Sequence, residues 1–134
     1  MKEDIVLRWI QKAENDIKAV EYLLTMEGTP VDILSFHCQQ AVEKYLKAYL
    51  TWADLRVKKT HDLAAILNLC IENDEEFEKL DMDKISQLTI YAIEIRYPEE
   101  HIEISIDEVE ELYSIVRNVR EFVIKRLKEK GMEL

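Results

Sequence analysis

Two glycines, Gly28 and Gly131, and two prolines, Pro30 and Pro98, are all that this chain of 134 residues has to break its secondary structure. That scarcity excludes a phosphate-cradling P-loop and a dinucleotide-binding turn, both of which need closely spaced glycines. It also argues against a many-turned β fold, which needs turn residues every few positions. The chain is therefore expected to be helical. Apolar residues make up 48% and charged residues 34%, enough for a core and a soluble surface, and the length fits one domain spanning 1–134.

Hydrophobic spacing places the helices. Val6, Ile10, Ala13, Ile17, Val20 and Leu24 step by three and four, one apolar stripe on a helix over roughly 4–26. Gly28 stops it. Thr29-Pro30-Val31-Asp32 then restarts a helix, with a capping hydroxyl, proline at the first helical position and an acid in the first turn. This second helix, roughly 31–53, carries Leu34, Cys38, Ala41, Val42, Tyr45, Leu46, Tyr49 and Trp52 over more than half its circumference. So wide an apolar arc predicts the most buried helix of the fold.

After the basic loop Arg56-Val57-Lys58-Lys59, Thr60 is placed to cap a short helix through Leu63, Ile66, Leu67 and Cys70. The acidic run from Glu72 to Glu78 reads as a solvated connection. Met82, Ile85, Leu88, Ala92 and Ile95 define a fourth helix over roughly 81–96, ended by Pro98. Ser105-x-x-Glu108 has the form of a capping box, opening a last helix striped by Val109, Leu112, Val116, Val119, Val123 and Leu127. Long helices with short connections pack as antiparallel neighbours, so the expected fold is all-α: an up-and-down four-helix bundle with one additional short helix.

The net charge of −10 repels nucleic acid and anionic membranes overall, although a local cationic cleft survives such a balance. Cys38 and Cys70 form no Cys-x-x-Cys pair, so neither a disulfide framework nor a zinc site is expected. No apolar run reaches the length of a membrane span. The default is a soluble protein of a reducing cytoplasm, with no membrane association.

Three places bear chemistry. On the second helix His37, Gln40, Lys44 and Lys47 step by three, four and three and share one face, with Glu43 at its edge. That line offers a phosphate or nucleotide two ammoniums, an imidazole and an amide. The plainer reading, a solvated stripe with Glu43–Lys47 as an i,i+4 pair, is favoured on position alone. Gln39 falls inside the apolar arc, and a buried amide needs a partner on a neighbouring helix or a dimer mate.

Thr60-His61-Asp62-Leu63 sets an imidazole beside a carboxylate, but a capping threonine and an acid in a first turn explain it structurally, and that role is favoured. Arg96-Tyr97-Pro98-Glu99-Glu100-His101 combines a guanidinium for a phosphate with an imidazole for proton movement. From Glu94 to Glu111 the only base is Arg96, against the carboxylates at 94, 99, 100, 103, 107, 108, 110 and 111. A polyanion held there needs cations from Lys44 and Lys47, from Lys58 and Lys59, or from a second subunit.

Phe36-His37-Cys38-Gln39-Gln40-Ala41-Val42-Glu43-Lys44-Tyr45-Leu46-Lys47-Ala48, then Thr60-His61-Asp62-Leu63, then Arg96-Tyr97-Pro98, together resemble the signature of HEPN domain proteins. The Ala13-x2-Asp16 pattern of the first helix extends the likeness. The resemblance implies a five-helix bundle and usually a homodimer. It also implies a partner, a minimal nucleotidyltransferase, in a toxin–antitoxin pair. By that likeness the protein is a metal-independent endoribonuclease, without a cofactor, using an Arg-x4–6-His motif across a dimer cleft. Arg96 would then stabilise the phosphate, and His101 would activate the ribose 2′-hydroxyl or protonate the leaving oxygen. The alternative is a non-catalytic module that holds a nucleotide on His37, Gln40, Lys44 and Lys47 or docks the nucleotidyltransferase.

Overall fold

The computed structural model describes residues 1–57, 59–94 and 105–134, with the side chains of 93 and 94 left aside. Five α-helices account for most of it: α1 (Lys2–Leu24), α2 (Val31–Trp52), α3 (Leu63–Asn73), α4 (Met82–Glu94) and α5 (Ile106–Glu129). A 3-10 turn, Glu75–Lys79, separates α3 from α4, and no strand occurs among the described residues. The fold is all-α.

Long-range hydrogen bonds fix the directions. Lys2 Nζ donates to the carbonyl of Trp52, so the start of α1 lies at the end of α2 and the two run antiparallel. Glu21 meets Tyr113 and Glu14 meets Arg120, which sets α5 antiparallel to α1. Gln39 meets the carbonyl of His61, and Tyr49 meets Asn73, so α3 runs beside α2 in the same direction. Tyr91 on α4 donates to Glu108 on α5 at 3.4 Å, as antiparallel neighbours. The four long helices thus alternate in direction, and α3 is the added short one.

Core and stripes coincide. Val6, Ala13, Ile17 and Val20 of α1 are buried, and Val109, Leu112, Val116, Val119, Val123 and Leu127 of α5 are all inside. From Ala41 to Leu50, α2 is buried at every position but Lys44. This is the central helix, as its wide arc requires. Gly131 follows the C-cap of α5 with φ +99°, and Gly28, three residues past the Thr25 cap of α1, has φ +70°, both in the left-handed geometry that side chains resist.

Four local expectations are corrected. Pro30, not Thr29, is the N-cap of α2, and the Thr29 hydroxyl is buried without a partner. Asp62, not Thr60, caps α3. Its carboxylate accepts from the Ala64 and Ala65 amides, where a negative charge also meets the helix dipole, while the Thr60 hydroxyl accepts from the Asp62 amide. The acidic run is not a solvated connection. Asp74 and Phe77 are buried, because Phe77 packs between Tyr49 and Phe122 and Asp74 takes a fork of hydrogen bonds from Arg126. The capping box is half made. Ser105 accepts from the Glu108 amide at 3.2 Å, but the Glu108 carboxylate meets the serine hydroxyl and Tyr91.

Candidate functional site

The polar line of α2 is organised by two buried carboxylates. Asp16 sits among the buried positions of α1, one turn from Ala13 and beside Ile17, so its carboxylate faces α2. There Oδ1 meets His37 Nδ1 at 2.8 Å and Oδ2 accepts from Lys44 Nζ at 2.6 Å. Glu43 is 4% exposed. Its Oε2 accepts from Lys47 Nζ at 2.9 Å, and its Oε1 meets His61 Nδ1 at 2.8 Å and Gln39 Nε2 at 3.1 Å. Each cluster has the same parts: one carboxylate shared by an ammonium and an imidazole.

The line is therefore not a solvated stripe. The Glu43–Lys47 pair expected from spacing exists, but Lys47 is only 6% exposed, with its ammonium 5.7 Å from the centre of the Trp9 ring. Gln39, 1% exposed, donates to Glu43 and to the carbonyl of His61 and accepts from Gln40 Nε2 at 2.8 Å. Its partners are its own helix and the segment entering α3. A carboxylate inside an apolar stripe, Asp16 between Ala13 and Ile17, is the sequence signal that would have located the first cluster.

The electrostatics follow from this pairing. Two ammoniums balance two carboxylates, so the group carries no net charge while both imidazoles are neutral. Lys44 and His37 keep some exposure, 20% and 29% of their side chains, whereas Lys47 does not. Burial pushes the Glu43 carboxyl up, but hydrogen bonds from Lys47, His61 and Gln39 outweigh it and hold it below the ordinary glutamate range. At the other end of the bundle the Arg126 guanidinium, against the effect of burial, holds Asp74 below the aspartate range.

These depressed carboxyls carry a signed consequence. Stability contributed by a group whose folded pKa is lowered is present above its unfolded value, about 3.9 for Asp and 4.3 for Glu, and is lost as pH falls through the folded value. The thermal midpoint is expected to fall as pH is taken from about 5 to about 2, and Glu43→Gln with Asp74→Asn should flatten part of that fall. Calorimetry over that interval checks it, and a wild-type midpoint that stays level contradicts it.

Other chemistry is sparse among the described residues. Both cysteines are buried and free, and burial pushes the Cys38 thiol up to about 12, so it stays protonated at neutral pH. No group of three or more His, Cys, Asp or Glu there has the arrangement to hold a metal ion. No described helix is long and apolar enough to cross a membrane. A groove of about 250 Å³ runs between α4 and α5 over Ile85, Ile115 and Val119, and none of His37, Gln40, Lys44, Lys47 and His61 lines it.

The structure thus brings His37, Gln40, Lys44 and Lys47 onto one face and joins His61 to it. Arg96 and His101, with Tyr97 and Pro98, lie outside the described residues. Their described neighbours in the chain are Glu94, the end of α4, and Ser105, the cap of α5.

No match was found among curated proteins or among solved structures. A family model, the HEPN domain, matches residues 6–128 and takes in all five helices and every motif quoted above. With nearly its whole length matched, the chain belongs to the HEPN domain family.

Proposed function

We propose that this HEPN protein is the ribonuclease half of a toxin–antitoxin-like pair with a minimal nucleotidyltransferase. In this reading it acts as a homodimer in the cytoplasm and cleaves RNA without a metal ion or other cofactor. Arg96 neutralises the phosphate as charge builds in the transition state, and His101 moves a proton at the ribose 2′-hydroxyl or the departing oxygen. The observation that carries the reading is Arg96-x4-His101 inside a chain matched to the HEPN domain from 6 to 128. The α2 face supports it indirectly: both of its lysines are already balanced by Asp16 and Glu43, so it offers an incoming polyanion little unspent charge.

The test is cleavage of single-stranded RNA in EDTA by the purified protein beside a His101→Ala variant. Loss of a general acid–base group typically lowers a rate by about 10²- to 10⁴-fold, and that loss is expected with the helical fold intact. Equal cleavage by both proteins sinks the reading.

A second reading rests on the partial exposure of His37 and Lys44 over Asp16, next to Gln40. Here the protein is a module that holds a nucleotide phosphate on His37, Gln40, Lys44 and Lys47 while it docks the nucleotidyltransferase. It requires nucleotide binding without RNA turnover, weakened by His37→Ala with Lys44→Ala. Lys47 is a poor probe, because its removal strands Glu43 in the interior.

A further inference from the structure

The helices around α1 draw its carboxylates inward and leave its cations outside. Glu14 accepts from Arg120 Nε at 2.9 Å and Glu21 from the Tyr113 hydroxyl at 2.8 Å, both toward α5. Asp16 is taken by His37 and Lys44 of α2. What remains turned to solvent is basic: Arg8, Lys12 and Lys18 are exposed and form no ion pair among the described residues.

These cations belong to one face. Arg8, Lys12 and Asn15 step by four and three, and Gln11, Asn15, Lys18 and Tyr22 by four, three and four. All six are exposed, Tyr22 by 73%. At 1.5 Å per residue the row from Arg8 to Tyr22 runs about 21 Å. Asp4, a turn before Arg8, is the one acid on the face, and its carboxylate meets the Met1 ammonium at 2.9 Å. Glu14 and Glu21 border the row, where Arg120 and Arg117 offset them.

The row does nothing for the core, and a chain of net charge −10 does not need cations to stay dissolved. Unpaired cations attract an anion, and an exposed aromatic ring in line with them offers a base a surface to stack on. That combination holds a single strand by backbone and base together. An anionic bilayer needs an apolar face to enter it, and that of α1, with Val6, Ala13, Ile17 and Val20, is buried in the bundle.

We propose that the solvent face of α1 is a docking surface for single-stranded RNA. Arg8, Lys12 and Lys18 meet phosphates, Gln11 and Asn15 hydrogen-bond the backbone, and Tyr22 stacks a base. The choice of RNA rests on the ribonuclease reading. The surface supplies the charge that the lysines of α2 have already spent on Asp16 and Glu43.

The test is fluorescence anisotropy with a labelled 2′-O-methyl oligouridine of about 12 nucleotides, a length within the usual range for single-strand sites. This probe has no free 2′-hydroxyl to attack, so it reads binding whether or not the protein cleaves. Wild type is compared with Tyr22→Leu and with the triple variant Arg8→Gln, Lys12→Gln, Lys18→Gln. A second triple variant, Lys84→Gln, Lys125→Gln, Lys128→Gln, removes the same charge from exposed cations elsewhere that also lack an ion pair among the described residues. Circular dichroism and the thermal midpoint confirm that each variant is folded.

The α1 triple variant should bind at least about tenfold more weakly at about 50 mM salt, and its plot of log affinity against log salt should be shallower by about 2, since each phosphate neutralised on a single strand contributes about 0.7. Tyr22→Leu should bind about tenfold more weakly with the wild-type salt slope, because stacking releases no counterions. The second triple variant should stay close to wild type.

Equal losses in the two triple variants would mean that only total charge matters, and would overturn the site. So would a wild type that does not bind the probe, and cleavage of ordinary RNA in EDTA would then leave the ribonuclease reading standing. Binding through α1 with no cleavage of ordinary RNA upholds the site and removes that reading. Polyglutamate that displaces the probe at equal charge concentration would make the row a contact for acidic chains and overturn the choice of RNA.

Discussion

Glu43→Ala is expected to cost about 3–5 kcal/mol of folding stability, the usual penalty for removing one partner of a buried ion pair. The loss comes from what stays behind. Lys47 is left as an ammonium 6% exposed without the carboxylate that pairs with it, beside a Gln39 amide that has lost one of its acceptors. His61 loses the side-chain bond that ties it to α2. Against a typical total of about 5–15 kcal/mol, such a change is a large fraction of what holds a domain together. Replacing both members, Glu43→Leu with Lys47→Met, removes the stranded charge and should recover most of the loss, because a buried pair seldom outweighs well-packed apolar side chains. Urea unfolding of the wild type, the single and the double variant checks both statements. A Glu43→Ala cost below about 1 kcal/mol would mean the cluster behaves as an exposed surface pair.

Periodicity made much of this legible. An apolar residue at every third or fourth position names the face a helix buries, and α5 buries every residue of its stripe. What periodicity lacks is the identity of the neighbour. Asp16 and Lys44 are separated by 28 positions and Glu43 and His61 by 18, and no spacing rule connects residues across a fold. The α2 line therefore read as a solvated stripe when it is a set of paired charges. The caps show the same limit at short range: Thr60 and Asp62 are both good capping types, and the backbone geometry selected the acid. Family membership was legible because the motifs on α2, before α3 and after α4 are specific in combination. The pairing of His61 with Glu43 was not, since it depends on a carboxylate carried by another element.

Phe77 is the clearest case of a residue hidden by its neighbours in sequence, and Phe77→Ala is expected to cost about 3–5 kcal/mol. Glu75 and Glu78 beside it are exposed, which is why the run reads as solvent-facing. The ring itself is fully buried, 4.4 Å from the centre of Tyr49 on α2 and 4.9 Å from that of Phe122 on α5. Truncation removes the transfer free energy of the ring, leaves a cavity that three elements must close, and ends two aromatic contacts. The same turn carries Asp74, whose carboxylate accepts from Arg126 Nη2 at 3.0 Å, so its loosening should also weaken the tie between the α3–α4 connection and α5. Phe77→Leu keeps most of the volume and should cost less than about 1.5 kcal/mol. Denaturant unfolding gives the two costs, and amide exchange over 74–80 reports whether the turn opens ahead of the bundle. If Phe77→Ala is as stable as the wild type, the acidic run is a solvated connection after all, and the polar ties of Asn73 and Asp74 to Tyr49 and Arg126 hold that end of the bundle.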